Sequence, residues 1–160
     1  NILKAEAFAN RHGILLDTFT FSDPHHNLDL NPPEVEHLRV KLRRAALGRL
    51  HVEDLLRNRP APKLPTSRSK VPASVRFDSS LAERSTLVEV VAQDRPGLLF
   101  DLARAMSSAG CDIEVVLIET QAHRAIDVFY INRGRRKLTE PEQNELKDHL
   151  LAACNPNPAH

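Results

Sequence analysis

The feature that most constrains this chain is that it repeats itself. Residues 1–9 (NILKAEAFA) align with residues 112–120 (DIEVVLIET). With a one-residue gap, GILLDTFTF aligns with RAIDVFYI, which sets Asp17 against Asp127 and Phe19 against Phe129. After a loop that is longer in the first copy, Leu30-Asn31-Pro32-Pro33-Glu34 meets Leu138-Thr139-Glu140-Pro141-Glu142. Leu38 and Leu42 then fall on Leu146 and Leu150. The order of these matches over about forty residues carries the argument more than any one of them, because a fixed order is the signature of a repeated structural unit.

Each copy reads as strand, turn, strand, loop, helix. Ile113, Val115 and Leu117 alternate with their neighbours at the period of two that a strand imposes. Ile126, Val128 and Tyr130 do the same after a polar turn at residues 121–124. Thr139 has the chemistry of a helix N-cap, with Pro141 and Glu142 in the first turn and Leu146, Leu150 and Cys154 following at helical spacing. In the first copy Asn31 and Pro32 take the same opening part, and Val35, Leu38, Leu42 and Ala45 form the apolar stripe.

The second copy has a front end that the first does not show: a strand over residues 86–93, a loop, and a helix over residues 96–109 closed by Gly110. The chain is therefore expected to start inside a domain. The boundaries expected are a partial first domain at residues 1–57, a linker at 58–74 rich in Pro, Ser, Lys and Arg, and a second domain at 75–160. Each copy follows part of the ferredoxin-like βαββαβ plan, an α+β fold. The plan calls for a fourth strand, but the prolines of residues 155–160 (NPNPAH) cannot serve a ladder. Residues 74–77 are expected to fill that slot beside the strand at 86–93. In the first copy, the strand at residues 15–21 is expected to present an open edge with Leu15, Phe19 and Phe21, covered by joining of the copies and by dimerisation.

Composition narrows the function. Lys and Arg number 22 against 21 Asp and Glu, for a net charge of +1, so no field draws the chain toward nucleic acid or an anionic membrane. Aromatics are 4% of residues and do not sit in the Lys/Arg-Gly-Phe/Tyr context that RNA-binding versions of this plan need. No apolar run approaches the length of a membrane helix. Cys111 and Cys154 lack ligand spacing and read as free thiols of a reducing cytosol. His12, His25, His26 and His37 have neither helical i,i+4 pairing nor a Cys partner, so no metal is expected. Asp17 and Asp127 are expected to face solvent or bond a turn rather than form a catalytic pair.

The informative loop is Asp94-Arg95-Pro96-Gly97-Leu98-Leu99. Asp94 stands where an N-cap carboxylate accepts bonds from the first free N–H groups of a helix. Pro96 suits the first turn, where its missing donor costs nothing, and Gly97 permits a close approach or a conformation other residues avoid. The remaining N–H groups and the positive end of the helix suit a carboxylate, and Asp94 suits an ammonium. The same pattern also serves a helix that is simply well capped.

A strand ending in Asp-Arg-Pro-Gly-Leu-Leu, followed by Gly110-Cys111-Asp112-Ile113 and by Arg124-Ala125-Ile126-Asp127-Val128-Phe129-Tyr130, resembles ACT domains. The first copy keeps Asn1-Ile2 at the position of Asp112-Ile113. More narrowly, Leu16-Asp17-Thr18-Phe19, Val75-Arg76-Phe77-Asp78 and residues 88–101 resemble the C-terminal tandem ACT region of bifunctional uridylyltransferase/uridylyl-removing enzymes, which act on the PII signal protein. That resemblance implies a regulatory, cytoplasmic module that senses an amino acid, glutamine above all. The resemblance further implies that the module works with the catalytic domains of a parent chain and as a homodimer. The resemblance also implies a ligand held by Asp94, Arg95, Pro96, Gly97 and Leu98, with Asn1 and Ile2 from the neighbouring copy. No Gly-Ser followed by paired aspartates and no His-Asp dipeptide occurs, so neither catalysis nor a cofactor is expected of the residues here. A ligand-free assembly module of ACT repeats is the alternative.

Overall fold

The computed structural model describes residues 2–9, 15–23, 28–57, 71–121 and 123–155. The elements run β1 (Ile2–Ala9), β2 (Leu15–Phe21), α1 (Pro32–Ala46), α2 (Val52–Arg57), β3 (Ser74–Asp78), β4 (Thr86–Gln93), α3 (Leu98–Ser108), β5 (Asp112–Gln121), β6 (Arg124–Asn132) and α4 (Glu140–Cys154). The linker expected at 58–74 lies outside the described residues up to 70, and its last residue, Ser74, opens β3. Two compact units result: residues 2–20 with 64–160, and residues 21–63.

In the larger unit four strands form an antiparallel sheet of order β3-β4-β6-β5. Every inward position of β6 is filled by the alternation Ala125, Asp127, Phe129, Ile131, all buried. Facing them on β4 are Val88, Val90 and Ala92. α3 and α4 lie against each other and against this sheet, contributing Leu98, Leu102 and Met106 from one helix and Leu146, Leu150 and Cys154 from the other. The result is an α+β fold of ferredoxin-like form, in which apolar stripes at helical spacing close over a strand face at period two.

β3 occupies the outer position beside β4, with Ser74 opposite Val91 and Asp78 opposite Leu87. The strand that fills the fourth place therefore precedes the domain's first strand. The alternation accounts for it: Val75 points into the core and is buried, while Arg76 on the other face is exposed.

Helix ends follow local chemistry. Gly110 (φ 73°) lets α3 close with Cys111 N–H donating to Met106 O at 3.0 Å and Gly110 N–H to Ser107 O at 2.9 Å, a Schellman closure. α4 opens with a capping box in which Thr139 N–H donates to the Glu142 carboxylate at 2.8 Å. The guanidinium of Arg136 and the backbone N–H of Thr139 hold that carboxyl well below the usual carboxylate range. Asn31 stands at the N-cap of α1, but its side chain makes no cap bond, so the shared opening expected of the two helices holds in position only.

β1 and β2 pair with each other, and β1 lies alongside β5 in the same compact unit. Phe19 and Phe21 of β2 are exposed, as is Leu16.

Candidate functional site

Residues 95–98 do not form the first turn of a helix, as their sequence suggests. Leu98 N–H donates to Arg95 O at 3.2 Å, and Gly97 sits at φ 84°, ψ −5°. With Pro at the second corner position and Gly at the third, this is a type II β-turn. The turn delays the helix to Leu98, puts Gly97 in the cap position and leaves Pro96 outside the helix. Asp94 is consequently too far back to cap α3, and no side chain caps it. The N-cap role expected of Asp94 is thus corrected: the Pro-Gly pair, which fixes one φ near −65° and permits one positive φ, outcompetes it.

Asp94 has another anchorage. Its backbone N–H donates to His123 O at 2.8 Å, fastening the loop to the β5–β6 turn and leaving the carboxylate half-buried. Gln93 Nε2 reaches the same carbonyl at 2.9 Å. Above the turn the N–H groups of Leu99 and Phe100 have no acceptor among the described residues.

Arg95 is a clamp. Its Nη2 donates to Asp101 Oδ2 at 2.5 Å and to Ala153 O at 2.7 Å, and its Nη1 reaches Pro96 O at 3.2 Å. One side chain therefore ties the loop to the first turn of α3 and to the last turn of α4, whose outward carbonyls need donors. Its Nε is buried without a partner among the described residues. Leu98 is part of the core. The structure thus unites Asp94, Arg95, Pro96, Gly97 and Leu98 in one turn with divided roles. Asp94 and the free N–H groups remain available for polar contacts, while Arg95 and Leu98 are engaged in holding the loop. Ile2 opens β1 and is exposed, and Asn1 lies outside the described residues.

Asp127 is the residue that sequence reasoning misplaced. It does not face solvent: it is 2% exposed, on the inward face of β6 opposite Val90. Burial first, and the charge of Asp94 second, push its carboxyl up to about 7. Its Oδ1 has no hydrogen-bond partner among the described residues. The signal was present in the alternation, since Asp127 shares parity with Ala125, Phe129 and Ile131. Its repeat partner Asp17 is exposed. Among the described residues no cluster of His, Cys, Asp and Glu suits a metal ion, and His12, His25 and His26 fall outside them.

The family model for an ACR9-like, ACT-like domain matches residues 74–154, from the first residue of β3 to the last of α4. Relatives extend the likeness over nearly the whole chain. The bifunctional uridylyltransferase/uridylyl-removing enzyme of Phenylobacterium zucineum is 36% identical over 96% of this chain and 16% of its own length. The enzymes of the same description from Gluconobacter oxydans and Azospirillum brasilense are 33% and 31% identical over 99% and 96% of this chain. This chain spans 17% of each of those two relatives. No solved structure matches. The match takes in every element from β3 to α4, and the chain belongs to the ACT-like domain family.

Proposed function

We propose that this chain is the regulatory, amino-acid-sensing module of a cytoplasmic PII-protein uridylyltransferase/uridylyl-removing enzyme, with glutamine as its ligand. The observation that carries the reading is the pairing of an ACT-like fold with similarity to such enzymes over 96% of the chain. The loop supplies the chemistry. Free N–H groups at the start of α3 suit the ligand's carboxylate, and Asp94 suits its ammonium. Arg95, spent on Asp101 and Ala153 O, keeps the turn in place. Ile2, exposed at the start of β1, is the described first-copy residue assigned to the ligand, and catalysis is assigned to other domains of the parent chain.

Heat unfolding with a panel of amino acids tests this. Glutamine at 100 times its Kd should add about 2.7 kcal/mol of stability, and Asp94→Ala should abolish that increment. Equal stabilisation of wild type and variant removes Asp94 from the site; no response to any amino acid removes the sensing role. A second reading, an assembly module without ligand, is favoured by β1 lying alongside β5. It expects a dimer in solution whose melting no amino acid moves.

A further inference from the structure

β6 runs out into a cluster of cations, Arg133, Arg135, Arg136 and Lys137, around a turn whose backbone is unusual. Arg133 and Arg136 bridge the turn, with Arg133 N–H donating to Arg136 O at 2.9 Å. Gly134 (φ 61°) and Arg135 (φ 63°) are its two central residues. Two positive φ values make this a hairpin turn of the primed kind, in which Gly, Asn or Asp is the customary occupant. Arg135 is the one non-glycine residue at positive φ among the described residues. A longer side chain at such a φ costs conformational energy and persists where its surroundings over-determine it. Those surroundings are a chain of polar groups. Arg135 N–H donates to Asn132 Oδ1 at 2.9 Å, and Asn132, itself 3% exposed, donates through Nδ2 to Glu114 Oε1 at 2.8 Å. Ser85, also buried, donates its hydroxyl to the other oxygen of that carboxylate. Glu114 stands at the irregularity in the β5 ladder between Ile113 and Val115. The entrance to β4, the bulge of β5 and the end of β6 thus fix one exposed turn. The neighbouring cations are occupied: Arg133 and Arg136 reach Glu142 at 3.2 and 2.8 Å, and Lys137 Nζ donates to Ser79 O at 2.6 Å. Arg135 is exposed, and its guanidinium has no partner among the described residues.

We propose that this turn docks the module on an acidic surface of the parent chain's other domains, the Arg135 guanidinium pairing with a carboxylate there. The proposal rests on the reading of this chain as the regulatory module of a longer enzyme. One free guanidinium offers a planar fork that fits one carboxylate. A nucleic acid requires several uncommitted cations, and here the others are spent on Glu142 and Ser79 O. A turn held from beneath by Asn132 loses little freedom on binding. Arginine is also among the residues that most often anchor an interface.

Two variants of the intact parent enzyme test it. Arg135→Lys keeps the charge and supplies an amine that a zero-length carbodiimide joins to a carboxylate in contact with it. Peptide mapping should find position 135 joined to an Asp or Glu outside residues 1–160. A link confined to residues 1–160, or no link, overturns the proposal. Arg135→Gly removes the guanidinium and relieves the backbone, so it should melt no lower than wild type. Glutamine should stabilise this variant as it does wild type, while the effect of glutamine on uridylyl transfer falls by roughly tenfold or more. An undiminished effect overturns the docking role. Failure of glutamine to stabilise wild type refutes the sensing role instead, and the crosslink then decides the docking by itself.

Discussion

α1 and α4 are each fifteen residues long and begin and end at equivalent places in the repeat, Pro32 with Glu140 and Ala46 with Cys154. Their surroundings differ. Leu146 and Leu150 of α4 are 1% and 0% exposed, whereas Leu38 and Leu42 of α1 are 37% and 59% exposed. The strands behave alike: Phe129 of β6 is fully buried, and its counterpart Phe19 of β2 is 50% exposed. The second copy has β4 and α3 to close over these side chains, and the described residues of the first copy hold no such pair. An apolar stripe therefore specifies which face of a helix seeks burial, while the neighbouring elements decide whether burial happens.

Truncating the same repeat position in both copies puts that lesson under strain. Phe129→Ala should cost about 3–5 kcal/mol, the range for deleting a buried aromatic ring. Phe19→Ala should stay within about 0.5 kcal/mol, as for surface positions. Urea unfolding followed by circular dichroism reads both, and equal costs would mean that β2 is covered in solution.

The two aspartates give the next contrast. The carboxyl of Asp127 is raised from 3.8 to about 7. Between those values the folded chain holds a proton that the unfolded chain has lost. Its contribution is therefore complete below about pH 4 and disappears as pH rises through 7, on the order of 4 kcal/mol in all. Asp127→Asn should flatten that decline and leave the protein more stable than wild type at pH 8. Asp17→Asn, at an exposed position, should leave the pH profile as it is. A wild-type stability that climbs from pH 4 to 7 would contradict the buried placement.

The smallest expected difference is at the helix starts. Thr139→Ala dismantles the capping box of α4 and should cost about 1 kcal/mol. Asn31→Ala removes a side chain that caps nothing and should cost a few tenths at most. Matching losses would show that Asn31 does cap α1 in solution.

Much of the fold was legible because several local signals agreed. The repeat located the paired strands and helices, Gly110 marked a closure that its positive φ fulfils, and the prolines at the end of the chain left residues 74–77 as the strand for the outer place. The site was less legible, and for identifiable reasons. Asp94 competes with Pro96-Gly97 for control of the same few residues, and propensities alone do not say that the turn prevails. Arg95 carries a structural tie that local sequence does not announce, because its partner Ala153 O lies 58 residues away at the end of α4. Asp127 has the residue type of a surface position and the strand parity of a core one, and the parity prevails.

The early position of β3 bears on how the domain folds. In the general βαββαβ plan the outer strand beside β4 arrives last and closes a long loop. Here β3 and β4 are consecutive, joined across residues 79–85, and β5 and β6 are likewise consecutive and paired. Two hairpins can thus form from local encounters on the scale of microseconds. The β4–β6 seam, with α3 and β5 lying between its strands in sequence, must be brought together over a longer distance. A lower contact order quickens the search. An edge strand that can zip in place before the seam closes shortens the interval in which β4 offers two bare edges to other chains.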